Sequence, residues 1–497
     1  MIFEDELNSY IHLKQIEILD RIKNTQKFNY KEEYLKIKKY LDDFLLDKKG
    51  HNFIVMPGLR GVGKTTILFQ LYDYLLNKKK IDYRDILYVS MDQFVKNFNS
   101  DLLTLVDNFL ESVHETNQVN LDKKLFIFVD ECHFDKSWDI SGKIIHDNTE
   151  NIFLIITGSS ALEIEINTDI ARRISKQSIY PNNFKDYLLL KHDINTDYNT
   201  SNNTNINHNT DYNTDNNFSK SLENMIYYGE DRYIKKAMDL EKKIQKQLLD
   251  LDNYPNIEFN KFLKTYGFTS TLKFKGKDAY DEINSIISNI IEKDISSVKS
   301  FNSSTRDNIS RIITYLALAK PGSVSNQKIA NYLSISPKLV HEILNVLEKT
   351  QMIFSLKPYG TSGIVVKKPW NYYFLSPSLK SAINYEMGRF NLDNKKCLGA
   401  FTENYVASTL FKMSKSTFKF MGLFYPIGKK TCDFLLRTKL EDIVPIEVGI
   451  GNKTKSQLIK AMNQYDGKYG VLISNRYDKI KHHKNIIHIP VVSFGFL

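Results

Sequence analysis

Residues Gly58-Leu59-Arg60-Gly61-Val62-Gly63-Lys64-Thr65 have the spacing G-x-x-x-x-G-K-[ST] of a loop that cradles phosphate. Backbone N–H groups in such a turn converge on phosphate oxygens, and the helix that follows adds the positive end of its dipole. In that chemistry Lys64 neutralises the β- and γ-phosphates of a nucleoside triphosphate such as ATP, and the Thr65 hydroxyl ligates Mg²⁺. A second acidic pair stands at Asp130-Glu131. Asp130 is placed to serve the same Mg²⁺, and Glu131 to act as general base on an attacking water. A third polar set, Thr157-Gly158-Ser159-Ser160, offers hydroxyls that could sense the γ-phosphate or hold the water. A turn that caps the next helix is the alternative for those residues.

The elements needed to position these groups are legible around them. Asn52-Phe53-Ile54-Val55-Met56 reads as a strand before the loop, and 66–72 as a helix after it. Five apolar residues, Leu125 to Val129, suit a strand buried on both faces and deliver Asp130 at its carboxyl end. Two more apolar runs, at 86–91 and 151–156, complete a strand–helix alternation that predicts a parallel sheet with helices on both faces.

Composition sets the outer bounds. A chain of 497 residues is long enough for three or four domains. No run of 18 apolar residues predicts a membrane span. The acidic start, Met1-Ile2-Phe3-Glu4-Asp5-Glu6, is unlike a secretion signal, and three scattered cysteines make no disulfide framework or zinc site, so a cytoplasmic location is expected. The net charge of +10 is localised. Residues 395–497 hold 17 Lys and Arg against 7 Asp and Glu, which accounts for all of it. A localised basic surface suits DNA or RNA, although a Lys-rich composition alone would produce the same count.

Along the chain, residues 1–50 read as an N-terminal helical segment and 51–191 as the nucleotide-binding core. An Asn-rich low-complexity loop follows at 192–220, then a helical lid or linker at 221–304. Residues 305–376 have the layout of a winged helix-turn-helix. Its helices are expected near 311–317, from the Ser325 cap to Leu333, and from Pro337 to Leu347 under a Ser336 cap. Ile364-Val365-Val366 and Tyr372-Tyr373-Phe374 would then pair as its wing. The recognition helix would present Lys338, His341 and Asn345, a thin basic set that fits a structural or protein-contacting module as well as DNA reading. In the basic segment 395–497, Glu403 on a helix and Asp433 and Glu447 on successive strands resemble the layout of PD-(D/E)xK nucleases, a second candidate metal site. Gly449 stands where that layout places a lysine, so a fold that binds without cleaving reads equally well. Lys453 or Lys455 is the nearby substitute.

Taken together, the chain resembles a family of archaeal and bacterial AAA+-type ATPases with a phosphate loop, a winged helix and a C-terminal nuclease-like domain. The residues that carry the resemblance are Gly58 to Thr66 with Arg60 inside, Asp130-Glu131, Thr157 to Ser160 and Ala171-Arg172-Arg173. Pro181, Phe184 and Tyr187 also match, as do Tyr266-Gly267-Phe268, Glu292-Lys293-Asp294, Glu403-Asn404 and Ile446-Glu447-Val448. The resemblance implies an α/β fold: a P-loop NTPase parallel sheet flanked by helices, then a winged helix-turn-helix and a small α/β restriction-nuclease-like domain. It adds Arg60 and Thr66 to a nucleotide site of Gly58, Gly61, Gly63, Lys64, Thr65, Asp130, Thr157 and Ser159, and makes Arg172 or Arg173 an arginine finger or a plain surface residue. The functional expectation is an ATPase switch, requiring ATP and Mg²⁺, that acts on nucleic acid or protein through residues 395–497, with a homo-oligomer and no membrane role among its implications. An ATP-regulated nuclease and a non-hydrolysing ATP-dependent scaffold are the alternatives.

Overall fold

Apolar runs flanked by polar turns become five parallel strands: β1 (Phe53–Pro57), β2 (Ile86–Ser90), β3 (Leu125–Asp130), β4 (Ile152–Gly158) and β5 (Ser175–Lys176). They lie in the order β2-β3-β4-β1-β5. The computed structural model describes residues 2–24, 28–48, 50–159, 169–196, 217–299, 301–320, 322, 324–389, 395–418, 420–428, 431–438, 441–450 and 455–497. Ser160, Lys453 and most of the expected Asn-rich loop lie outside these residues. The described chain forms two compact units. The first comprises residues 1–180, 292–300 and 349–351, and the second the remainder.

In the first unit every residue of β3 and β4 is buried, as a central parallel strand covered on both faces requires. Side-chain alternation divides the sheet. Val55, Val89, Ile127, Val129, Leu154 and Ile156 join a core with Leu7 and Ile11 of α1 (Ile2–Asn24). On the other face Phe44 of α2 (Glu32–Leu45) meets Phe126 and Phe153, with ring centroids 5.8 and 5.3 Å apart. Tyr72 of α3 (Lys64–Asp73) meets Phe128 at 6.5 Å. Three further helices follow, α4 (Met91–Phe98), α5 (Leu102–His114) and α6 (Trp138–Asn148).

The α6–β1 contact is tight enough to test. A Cβ on Gly142 would fall 2.5 Å from Phe53 Cζ and 3.0 Å from Cε1. Gly142→Ala should therefore cost about 1–3 kcal/mol through overpacking, despite alanine's better helix propensity. Urea unfolding measures this. An unchanged midpoint would mean that the Phe53 ring can move aside.

The second unit is built on an eight-stranded mixed sheet in the order β12-β13-β11-β10-β9-β8-β6-β7. Its strands are β6 (Ile353–Pro358), β7 (Asn371–Phe374), β8 (Gly422–Tyr425), β9 (Phe434–Arg437), β10 (Ile443–Gly449), β11 (Gly470–Ser474), β12 (Lys481–His483) and β13 (Ile486–Ile489). Helices Ser303–Leu318, Asn326–Leu333 and Pro337–Lys349 form where expected. Ser325 Oγ accepts the Lys328 N–H at 3.0 Å, and Ser336 Oγ the Leu339 N–H at 3.1 Å.

The expected wing pairing is corrected. Ile364-Val365-Val366 belongs to a short helix, Ser362–Lys367, and the partner of β7 is β6. The reason is burial. Ile353, Phe354 and Leu356 are buried and draw β6 into the sheet, whereas Val366 is 80% exposed and gains little from pairing. β6 also pairs in parallel with β8, which joins the hairpin to the C-terminal strands in one sheet.

Several motif residues in this unit have packing roles. Tyr187 and Tyr266 stack 5.1 Å apart, and the Asn182 N–H donates to Gly267 O at 2.8 Å. Asn404 closes the edge of β7 by accepting the Phe374 N–H at 3.1 Å and donating to Phe374 O at 2.8 Å.

Candidate nucleotide site

The loop leaving β1 is glycine-rich because its backbone requires it. Gly61 and Gly63 sit at φ of 78° and 103°, where other residues are strained. A Cβ on Gly58 would collide with the Ile179 carbonyl, because Gly58 and Ile179 bridge in parallel beside the sheet. α3 begins at Lys64, immediately after the turn, which aims its N-terminal N–H groups at the loop.

Lys64 is 5% exposed and lies over its own loop, with Nζ donating to Gly58 O at 2.8 Å and Leu59 O at 3.0 Å. Burial lowers its hold on the proton, against the pull of Glu131 and Asp130. Thr66 is half-buried on the first turn of α3.

Asp130 closes β3 and gathers three hydroxyls. Thr65 donates to its Oδ2 at 2.6 Å and Tyr88 to the same atom at 3.2 Å, while Thr157 donates to Oδ1. Burial pushes this carboxyl above the ordinary carboxylate range, and the neighbouring Glu131 charge adds to the rise, against Thr157, Thr65 and Lys64. Four elements thus meet at one carboxylate: the ends of β2, β3 and β4 and the start of α3.

Glu131 has a left-handed backbone, φ 54°, a strained setting for a residue with a side chain and one that clusters at functional sites. Its N–H donates to Thr157 Oγ1 at 3.3 Å. Its Oε1 stands 3.6 Å from Arg60 Nη1, and its Oε2 3.3 Å from His133 Nδ1. The latter is not an ion pair. Burial, reinforced by Arg60 and Lys64, drives the His133 imidazolium down to about 3, so the ring is neutral near pH 7. Its Nδ1 accepts the Ser159 N–H at 3.3 Å, which puts the ring proton on Nε2.

The structure therefore brings Lys64, Thr65, Asp130, Glu131, Thr157 and Arg60 together. Ser159 enters through its backbone to His133. Arg173 is directed elsewhere, with Nε and Nη2 forking onto Asp147 at 2.6 and 2.8 Å; Arg172 is exposed on a 3₁₀ turn. Tyr88 and His133 were not singled out in the sequence. His133 had a signal, two residues beyond Glu131, whereas nothing around Tyr88 distinguishes it from a core tyrosine.

Each of the three C-terminal acids has partners in the second unit. Asp433 Oδ2 accepts the Val448 N–H at 2.7 Å, Glu403 accepts from Tyr373 at 3.1 Å, and Glu447 is wholly buried in β10. Among the described residues no group of three or more His, Cys, Asp or Glu is placed to hold a metal ion. Glu403, Asp433 and Glu447 are thus not grouped as the expected second metal site among the described residues.

A fold of five parallel strands with a glycine-rich turn, a loop lysine and an acid-tipped β3 defines a P-loop ATPase domain of the AAA type, and the model of the AAA domain family matches residues 50–188. A domain of unknown function matches 269–388. The chain belongs to the same family as the uncharacterized protein MJ1637 of Methanocaldococcus jannaschii, which is 32% identical over 99% of this chain and 94% of its own length. An uncharacterized protein of Haemophilus influenzae is 29% identical over 30% of this chain and 36% of its own. Among solved structures, the Aeropyrum pernix ORC1 protein in complex with DNA aligns over 73% of this chain and 94% of its own at 11% identity, with a TM-score of 0.32. No helix among the described residues is long and apolar enough to cross a membrane.

Proposed function

We propose that the chain is a Mg²⁺-dependent ATPase whose nucleotide state governs the binding of nucleic acid by its basic C-terminal region. The observation that carries the first half is Asp130, buried, raised in proton affinity and 2.6 Å from the Thr65 hydroxyl. Two hard oxygen donors beside a phosphate loop suit Mg²⁺, and a dication would stabilise the carboxylate that burial disfavours. Thr65 and Asp130 would hold the metal, which when bound supplies charge neutralisation for phosphoryl transfer. Lys64 binds phosphate oxygens, Glu131 orients and deprotonates water, and Thr157 fixes both acids through its hydroxyl. Arg172, exposed, is the residue available to reach a neighbouring copy.

The second half rests on β12. Lys481, His482 and His483 are exposed on this edge strand, with Arg476, Lys479 and Lys484 exposed nearby. Lys481 Nζ lies 4.1 Å from the centre of the Tyr477 ring, a cation-and-aromatic pairing suited to a sugar–phosphate chain. Lysines on an edge strand also block strand pairing, so the two uses must be separated by experiment. Gly449 in place of a lysine favours binding without cleavage, and a winged-helix role for 303–374 is part of the same reading. Anisotropy titrations of labelled DNA with the full chain should give an affinity that falls by about 10³-fold between roughly 50 and 200 mM salt. Salt-independent binding, or none, would refute nucleic acid as the partner.

A further inference from the structure

Arg60 is shared between two carboxylates. Its Nε and Nη2 both donate to Asp294 Oδ1, at 3.0 and 2.9 Å, while Nη1 stands 3.6 Å from Glu131 Oε1. The Asp294 side chain is only 3% exposed, and such a carboxylate depends on its counter-ion. The counter-ion comes from the phosphate loop, 234 residues earlier in the chain. Asp294 ends a π-helical turn, Ile290–Asp294, a winding that is rare and concentrates at functional sites. The stretch 292–300 packs within the ATPase unit, yet the chain at both of its ends runs on into the other unit.

We propose, resting on the ATPase reading above, that Asp294 is a positioning residue for the nucleotide site: it holds Arg60 beside the loop, and a triphosphate seated in the loop takes Arg60 over. Two anions compete for one guanidinium, and phosphate accepts its fork as well as carboxylate does. When Arg60 moves, Glu131 loses the nearby positive charge and its carboxylate is freed for water. Asp294 loses its forked hydrogen bonds from Arg60, and the 292–299 stretch loosens. The nucleotide signal thereby enters a segment continuous with the second unit.

Linkage makes this testable in both directions, because what nucleotide does to the Asp294 pair, weakening the pair must do to nucleotide. The full chain carrying Glu131→Gln, which retains bound ATP, should exchange amide hydrogens in 292–299 about tenfold faster at saturating ATP than without it. Asp294→Asn should bind a fluorescent ATP analogue about tenfold more tightly than wild type, and Asp294→Glu should restore the wild-type affinity. A residue that merely supports the fold would not tighten ligand binding. Unchanged exchange in ATP-saturated Glu131→Gln overturns the proposal, as does unaltered or weaker affinity in Asp294→Asn. If the wild-type chain itself binds no ATP, the ATPase reading falls and this proposal with it.

Discussion

Lys64→Ala should abolish ATP binding at micromolar concentrations and, with it, all turnover. Lys64 Nζ is buried, and its hydrogen-bond acceptors among the described residues are the two loop carbonyls of Gly58 and Leu59. Neutral carbonyls compensate a buried ammonium less well than anionic oxygens do, which is why burial lowers its proton affinity. Phosphate therefore gains from Lys64 twice, through charge-assisted hydrogen bonds and through relief of an under-compensated cation. Two such bonds at about 1.5–3 kcal/mol each make a loss of affinity of at least 10²-fold the expected outcome. Titration calorimetry with ATP and Mg²⁺ measures it. Near-wild-type affinity in the variant would remove the loop from the nucleotide site.

Glu131→Gln should divide the same activity differently. The amide keeps the shape of the side chain and its place beside Arg60 and His133, so ATP still binds. It cannot accept a proton, and kcat should fall by about 10²- to 10⁴-fold with little change in affinity. Single-turnover hydrolysis measures the chemical step directly. Turnover equal to wild type would assign the base elsewhere, and a lost affinity equal to that of Lys64→Ala would make Glu131 a binding group. The contrast between the two variants separates binding from chemistry in a way that neither does alone.

The sheet and its acids were legible because parallel strands leave a coarse signal. Leu125 to Val129 is apolar without interruption, and the Gly61, Gly63 and Lys64 pattern is short and local. What escaped the sequence was set by tertiary partners. Tyr88 meets Asp130 only because β2 lies beside β3 in register, with Ser90 opposite Asp130. Ile364 to Val366 carries the β-branched composition of a strand, but Ile353, Phe354 and Leu356 had the stronger claim on the sheet edge. The spacing of Glu403, Asp433 and Glu447 suits a metal site. That spacing cannot reveal that tertiary placement leaves the three ungrouped for a metal among the described residues. The pairing of Arg173 met the same limit, since Asp147, the residue that claims it, is a local helical acid with no motif of its own.

The ATPase unit draws residues 292–300 from beyond a long excursion of the chain. A segment cut after residue 191, where the sequence suggests a boundary, would carry every residue of the phosphate loop with Asp130 and Glu131 but lack the carboxylate that Arg60 grips. Measurements on that isolated segment would therefore be made on a phosphate loop without its Asp294 contact, and cannot stand in for the full chain.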